Sequence, residues 1–217
     1  MIVLMKKTVG RSAVIILFGL LQACSVLPRP EVVAVEYFTL ETPAVPAVST
    51  VQSAPQSNPG GPVLLIARPQ VRPDLDTPRM AYRQQDYTLR YYARSRWSDV
   101  PAQLLLPGLI ESFESSGHFA AVLRTGSPAT PQLRLDTEIL EFSLDFRSQP
   151  SRFQLRLRAQ LVDLGTRRVL ASHAFAIEKP LEAQTPYGGA QAANAAWQAL
   201  LPELVTFCTA ALPPVAP

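Results

Sequence analysis

Between Arg152 and Leu161 apolar and polar residues alternate without a fault: Phe153, Leu155, Leu157, Ala159 and Leu161 interleave with Arg152, Gln154, Arg156, Arg158 and Gln160. A period of two sustained over ten residues is that of a β-strand with one face in a core and the other in water. The preceding stretch alternates through Leu133, Leu135, Thr137 and Ile139, then resumes out of phase at Phe142, Leu144 and Phe146. That slip predicts a bulge near Leu140-Glu141. Gly165-Thr166 supplies a turn into a third strand over residues 169–177. A long antiparallel hairpin is therefore expected in the middle of the chain.

Around it the signals are shorter. Tyr37-Phe38-Thr39-Leu40 reads as a first strand, and the continuous apolar run Val63-Leu64-Leu65-Ile66-Ala67 as a central strand covered on both faces. Residues 80–83 and 88–92 read as two extended pieces around a turn at Gln84-Gln85-Asp86. A helix follows, with Ser98 or Asp99 as cap, Pro101 in its first turn, Leu105, Leu109, Ser112, Phe113 and Ser116 on one face, and Gly117 at its end. Residues 187–211 repeat Ala190, Asn194, Trp197, Leu201, Leu204 and Cys208 at helical spacing. Pro107 is expected to kink the first helix and Pro202 to split the second. Residues 43–62, rich in Pro, Ser and Ala, are expected to form a mobile loop. No internal repeat is present.

The N-terminus decides location. Lys6, Lys7 and Arg11 precede the apolar run Val14-Ile15-Ile16-Leu17-Phe18-Gly19-Leu20-Leu21, which is too short to span a membrane. Leu21-Gln22-Ala23-Cys24 then resembles the bacterial lipobox, which implies a signal peptide over 1–23, cleavage before Cys24 and an acyl chain such as palmitate on its sulfur. Residues 24–35 would be the acylated Cys and tether, and 36–212 one globular domain. Removing 1–23 takes away Lys6, Lys7 and Arg11 and no acid, so the 20 basic residues fall to 17 against 17 acidic ones. The basic balance thus belongs to the discarded segment and gives no reason to expect nucleic acid. With Cys24 acylated, Cys208 has no disulfide partner and reads as a buried small hydrophobe.

Residues that could carry chemistry are few. His118 and His173 are the two histidines; His118 is expected to favour the end of a helix and His173 to be a hydrogen-bonded core residue. Asp74 and Asp76, between Pro73 and Pro78, mark a turn. No nucleophile elbow, zinc-binding motif or phosphate loop is present, so neither an enzyme nor a cofactor beyond the lipid on Cys24 is expected. Arg152, Arg156 and Arg158 project from one strand face with Arg168 near them on the neighbour. They read as a solvated face, with contact to a lipid headgroup or acidic partner as the functional alternative. Tyr82, Tyr87, Tyr91, Tyr92 and Trp97 read as packing rather than a cleft.

Met80-Ala81-Tyr82-Arg83, Leu89-Arg90-Tyr91-Tyr92 and Arg96-Trp97-Ser98-Asp99 lead into the first helix, preceded by Tyr37-Phe38-Thr39-Leu40 and Val71-Arg72-Pro73-Asp74-Leu75-Asp76-Thr77-Pro78. In this order, behind a lipobox, they resemble the ABC-type transport auxiliary lipoproteins. The similarity continues through Leu135 to Phe142, Gly165-Thr166-Arg167-Arg168-Val169-Leu170 and the Ala-rich last helix; the 43–62 segment and Pro107 depart from it. The resemblance implies an α/β domain, a mixed β-sheet with helices packed on it, in agreement with the element order above. It also implies a non-enzymatic accessory of an MCE-type intermembrane phospholipid transport system, partnered by MCE-domain proteins and an ABC transporter or related inner-membrane component. Phospholipid contact and a homo-oligomer are compatible with that role. Ser25 after the acylated Cys favours the periplasmic face of the outer membrane. An envelope scaffold without lipid handling is the alternative, and a periplasmic hydrolase a third.

Overall fold

The hairpin that the alternation predicts is the spine of the fold. The computed structural model describes residues 34–41 and 58–212. In chain order its elements are β1 (Glu36–Phe38), β2 (Val63–Ile66), β3 (Gln70–Val71), β4 (Arg79–Arg83), β5 (Arg90–Trp97), α1 (Pro101–Ser115), β6 (Ala121–Arg124), β7 (Leu133–Asp145), β8 (Arg152–Asp163), β9 (Arg168–Pro180) and α2 (Pro186–Ala210). Together they make a single α/β domain: one open mixed sheet of nine strands carrying both helices.

One side of β7 pairs antiparallel with β8 along its whole length, and β8 pairs in turn with β9. The other side of β7 is shared by three short parallel strands: β2 beside Leu133, Arg134 and Leu135, β3 beside Glu138 and Ile139, and β4 beside Leu144 and Asp145. Beyond β2 lies β6, and beyond β4 lie β5 and then β1. The sheet is thus forked, two arms leaving one spine. The register slips between Ile139 and Glu141, at the bulge the sequence phase predicts, which keeps Leu133, Leu135, Ile139, Phe142 and Leu144 all in the core.

Both helices cover the same face. Leu105, Leu109 and Phe113 of α1 and Trp197, Leu200, Leu201, Leu204 and Cys208 of α2 join Phe153, Leu155, Leu157 and Leu161 of β8 in one buried cluster. Trp97, Phe142 and Phe153 form its aromatic centre, with ring centroids 5.0 to 6.4 Å apart in tilted and edge-to-face pairs. Asn194 fastens α2 to the end of β1: its amide donates to the carbonyls of Thr39 (3.1 Å) and Ala190 (2.9 Å), and its oxygen accepts from the Glu41 amide (2.6 Å).

Several expectations are corrected. Val100 caps α1 without a side-chain bond, and Asp99 instead accepts from the Val100 amide at 2.7 Å. Pro202 does not split α2, which runs unbroken from Pro186 to Ala210, and Pro107 likewise lies inside α1 without ending it. In both helices the residue four before the proline, Gln103 or Gln198, is exposed, which puts the proline's lost hydrogen bond on a turn that reaches the solvent side of the helix. Strands β3 and β6 had no counterpart in the sequence reading. The 43–62 loop falls largely outside the described residues, but its last part is a turn pinned to the domain by the Asn58 amide on the Phe119 carbonyl at 3.1 Å. Cys24 and the tether before Ala34 also lie outside them.

Candidate functional site

The face of the sheet away from the helices carries a ladder of charge pairs. Arg152 is ion-paired with Glu178, which also accepts from Gln154 at 3.1 Å. Arg158 bonds Glu138 at 2.8 Å. Glu141, at the bulge, is buried between the Arg83 guanidinium (3.2 Å) and the Ser143 hydroxyl. At the end of β7, Arg147 holds Asp145 at 2.8 Å and reaches Asp86 at 2.9 Å. That guanidinium keeps the nearly buried Asp145 carboxyl below its usual range, and the carboxylate in turn raises the arginine.

Of the four arginines singled out, the structure brings three together. Arg152, Arg156 and Arg158 share the outer face of β8, and Arg156 is exposed with no ion pair among the described residues. Arg168 is not with them. It stands opposite Asp163 in the backbone register beside the β8–β9 turn, at a position whose alternation matches the core side of β8. Asp163 itself is lowered by the Thr166 amide that closes the turn, at 2.8 Å.

What the sequence did not reveal is the status of β9. It is an edge strand of 13 residues, and residues 169–177 carry no charge and no proline. Beside it, on the helix side, runs a shallow groove of about 450 Å³ lined by His173, Phe175, Pro202, Glu203, Thr206 and Phe207. The ring of His173 meets Phe175 edge-on at 4.6 Å and lies 6.1 Å from Phe207. His173 has the core-side register predicted, yet it is exposed rather than buried, because among the described residues no strand lies beyond β9. An open groove of apolar rings beside free backbone edge can hold an acyl chain or an extended polypeptide.

Elsewhere the chemistry is structural. His118 is exposed after Gly117, which takes φ 69° to end α1. Cys208 is buried, and burial pushes its thiol up to about 12. Tyr82 packs against Tyr92 at a tilt and against Phe146 edge-to-face at the end of the sheet, with Gln84 and Gln184 completing the wall of a cavity of about 470 Å³. Tyr92 is raised by burial and by Tyr82. The Tyr91 hydroxyl donates to the Asp74 carbonyl at 2.6 Å, fixing the turn that Asp74 and Asp76 mark. Tyr87 alone of the aromatic group is fully exposed. Among the described residues no group of three His, Cys, Asp or Glu is placed to hold a metal ion, and no helix is long and apolar enough to cross a membrane.

Comparison with known proteins agrees with this architecture. A crystal structure of protein XCC0632 from Xanthomonas campestris superposes with a TM-score of 0.67 at 25% identity, covering 82% of this chain and 97% of that one. A crystal structure of an uncharacterized protein superposes with a TM-score of 0.61 at 11% identity over 80% of this chain and 98% of that one, a likeness of fold. No curated protein matches the sequence. Residues 38–205, nearly the whole described domain, match the family described as ABC-type transport auxiliary lipoprotein component. The chain belongs to that family of ABC-type transport auxiliary lipoproteins.

Proposed function

We propose that the protein is a non-enzymatic accessory of an MCE-type phospholipid transport system, held by acylated Cys24 at the periplasmic face of the outer membrane, where it docks the periplasmic MCE assembly. The observation that carries this reading is the groove beside β9, where free strand edge and apolar rings lie together. A docked strand would take its hydrogen bonds from β9, and the groove would accept apolar side chains or acyl chain next to it. The envelope-scaffold reading is favoured by the free edge alone, without the groove.

The test is a pull-down of the lipidated protein from solubilised envelopes, with mass spectrometry of proteins and lipids, beside Cys24→Ala and Ala174→Lys variants. Ala174 is exposed on the outer face of β9, so a lysine there leaves the core untouched while placing charge on the edge. Recovery of MCE and transporter subunits with phospholipid, lost in both variants, is expected. Capture of other envelope assembly factors with no MCE component and no enriched lipid moves the reading to scaffolding.

A further inference from the structure

Helix α2 first meets the sheet near the end of β7. Tyr82 of β4 stands opposite the core residue Leu144, and the first turn of α2 reaches that level, with Gly189 against the leucine. Beside it three rings are left half-buried: Tyr82, Tyr92 of β5, and Phe146, which follows β7. Tyr82 meets both of the others, with centroids 4.8 Å from Tyr92 and 6.0 Å from Phe146. The Phe146 amide donates to the Arg83 carbonyl at 2.9 Å, which keeps Phe146 beside β4.

Two primary amides complete the wall of the cavity that these rings bound, and each is held in place. Gln184 donates through Nε2 to the hydroxyl of buried Ser151 at 3.0 Å. Its segment is fixed by the Leu181 amide on the Ser151 carbonyl (2.8 Å) and by Gly188, where a Cβ would collide with the Ala183 carbonyl. Gln84 accepts through Oε1 from Arg90 at 3.4 Å. One acceptor, Gln184 Oε1, and one donor group, Gln84 Nε2, are left without a partner among the described residues. The Tyr82 and Tyr92 hydroxyls have none there either, and both reach solvent. Burial and Tyr82 raise Tyr92, so its phenol keeps a proton to donate.

The lining suits a neutral, puckered ring. Among the described residues no carboxylate lines the cavity to balance a cation, and the Arg90 guanidinium bonded to Gln84 opposes one. Arg147, next to Phe146, is matched by Asp86 and Asp145 and gives an anion no pairing. Rings inclined to one another at 47° and 70° leave no parallel slot for a flat aromatic ligand. A sugar ring lays its C–H groups on the negative faces of such rings, while its hydroxyls, each both donor and acceptor, match separate donors and acceptors on the rim. We propose that this cavity binds one pyranose ring of a glycan, stacked on Tyr82 and Tyr92 and oriented by Gln84 and Gln184. The site is separate from the groove of β9, which is level with Thr137 and Ile139 and lies on the other side of β7, so the inference stands apart from the docking proposed above.

The experiment is saturation-transfer NMR on the full-length protein in a detergent without a sugar headgroup. Its probes are chitotetraose, whose rings carry acetamido groups, and cellotetraose, which has the same linkage without them. Transfer to the ring C–H protons of one or both is expected, with affinity reduced about tenfold by Tyr92→Leu, which keeps apolar bulk but removes the aromatic face. Gln84→Ala and Gln184→Ala together should cost about the same factor, and because both side chains are exposed, circular dichroism should show the parent fold. Transfer to chitotetraose alone assigns the site to acetamido glycans such as a peptidoglycan strand; transfer to cellotetraose as well assigns it to the ring itself, whatever chain carries it. No transfer to either probe, or affinity unchanged in a folded variant, overturns the inference. If Tyr92→Leu does not fold, the amide pair decides.

Discussion

The indole of Trp197 lies directly on the backbone of Gly108: a Cβ built on that glycine would stand 2.7 Å from the ring nitrogen. This contact sets how closely α1 and α2 approach. Gly108→Ala gains about 1 kcal/mol of helix propensity, but overpacking against a fully buried ring costs about 1–3 kcal/mol. A net destabilisation between none and about 2 kcal/mol is expected by urea unfolding, with a shifted tryptophan emission. A variant about 1 kcal/mol more stable than the parent, with unchanged emission, refutes close packing here.

Asp145 should govern part of the acid response. Its native pKa lies below the unfolded value of about 3.9, so its bond to Arg147 stabilises the fold above that pH and is lost as pH falls through the lowered native value. Asp145→Asn is expected to cost about 1.5–3 kcal/mol at neutral pH. The difference from the parent should shrink toward pH 2, as followed by thermal unfolding across pH. A penalty constant with pH would assign the effect to packing.

Asn194 holds β1 through bonds to Glu41 and Thr39. Removing them with Asn194→Ala should cost about 1–2 kcal/mol, and the loss should be local. Hydrogen exchange of the amides in β1 should accelerate while those of β7 and β8 keep their protection. Uniform acceleration would contradict the local role.

Cys208 should be silent in the native state. With its thiol buried and raised, a thiol reagent at pH 8 is expected to label it only through unfolding, so the labelling rate should track denaturant concentration. Fast labelling in buffer alone would show a more open α2.

The residues themselves explain which parts of the fold were legible. β8 and the bulge of β7 were readable because one face is core and the other water, and alternation records that contrast directly. Leu105, Leu109 and Phe113 were readable for the same reason at helical period. Two residues of β3 and four of β6 are too short to carry a period, and they are strands only because β7 and β2 lie beside them. His173 was misread because its register is that of a core position, while its exposure depends on the absence, among the described residues, of a strand beyond β9. The candidate groove needs β9 and the second half of α2 side by side, residues 173 and 207, a proximity that local pattern does not encode. The arginines of β8 were placed from sequence, but their acidic partners on β7 and β9 were not.

The forked sheet also bears on how the chain is made. Every arm built from the residues before β7, β1, β4 and β5 on one side and β2 and β6 on the other, reaches the rest of the sheet only through β7. A chain threaded across a membrane from its N-terminus must therefore emerge past Asp145 before its earlier strands have a common support, and past Pro180 before the spine itself has both neighbours. Until then the apolar runs around Leu64 and Trp97 travel unshielded, and such late closure of long-range pairs is the step at which slow folding and aggregation compete. If the protein is exported as proposed above, its folding should accordingly lean on a periplasmic holding chaperone more than its size alone would require.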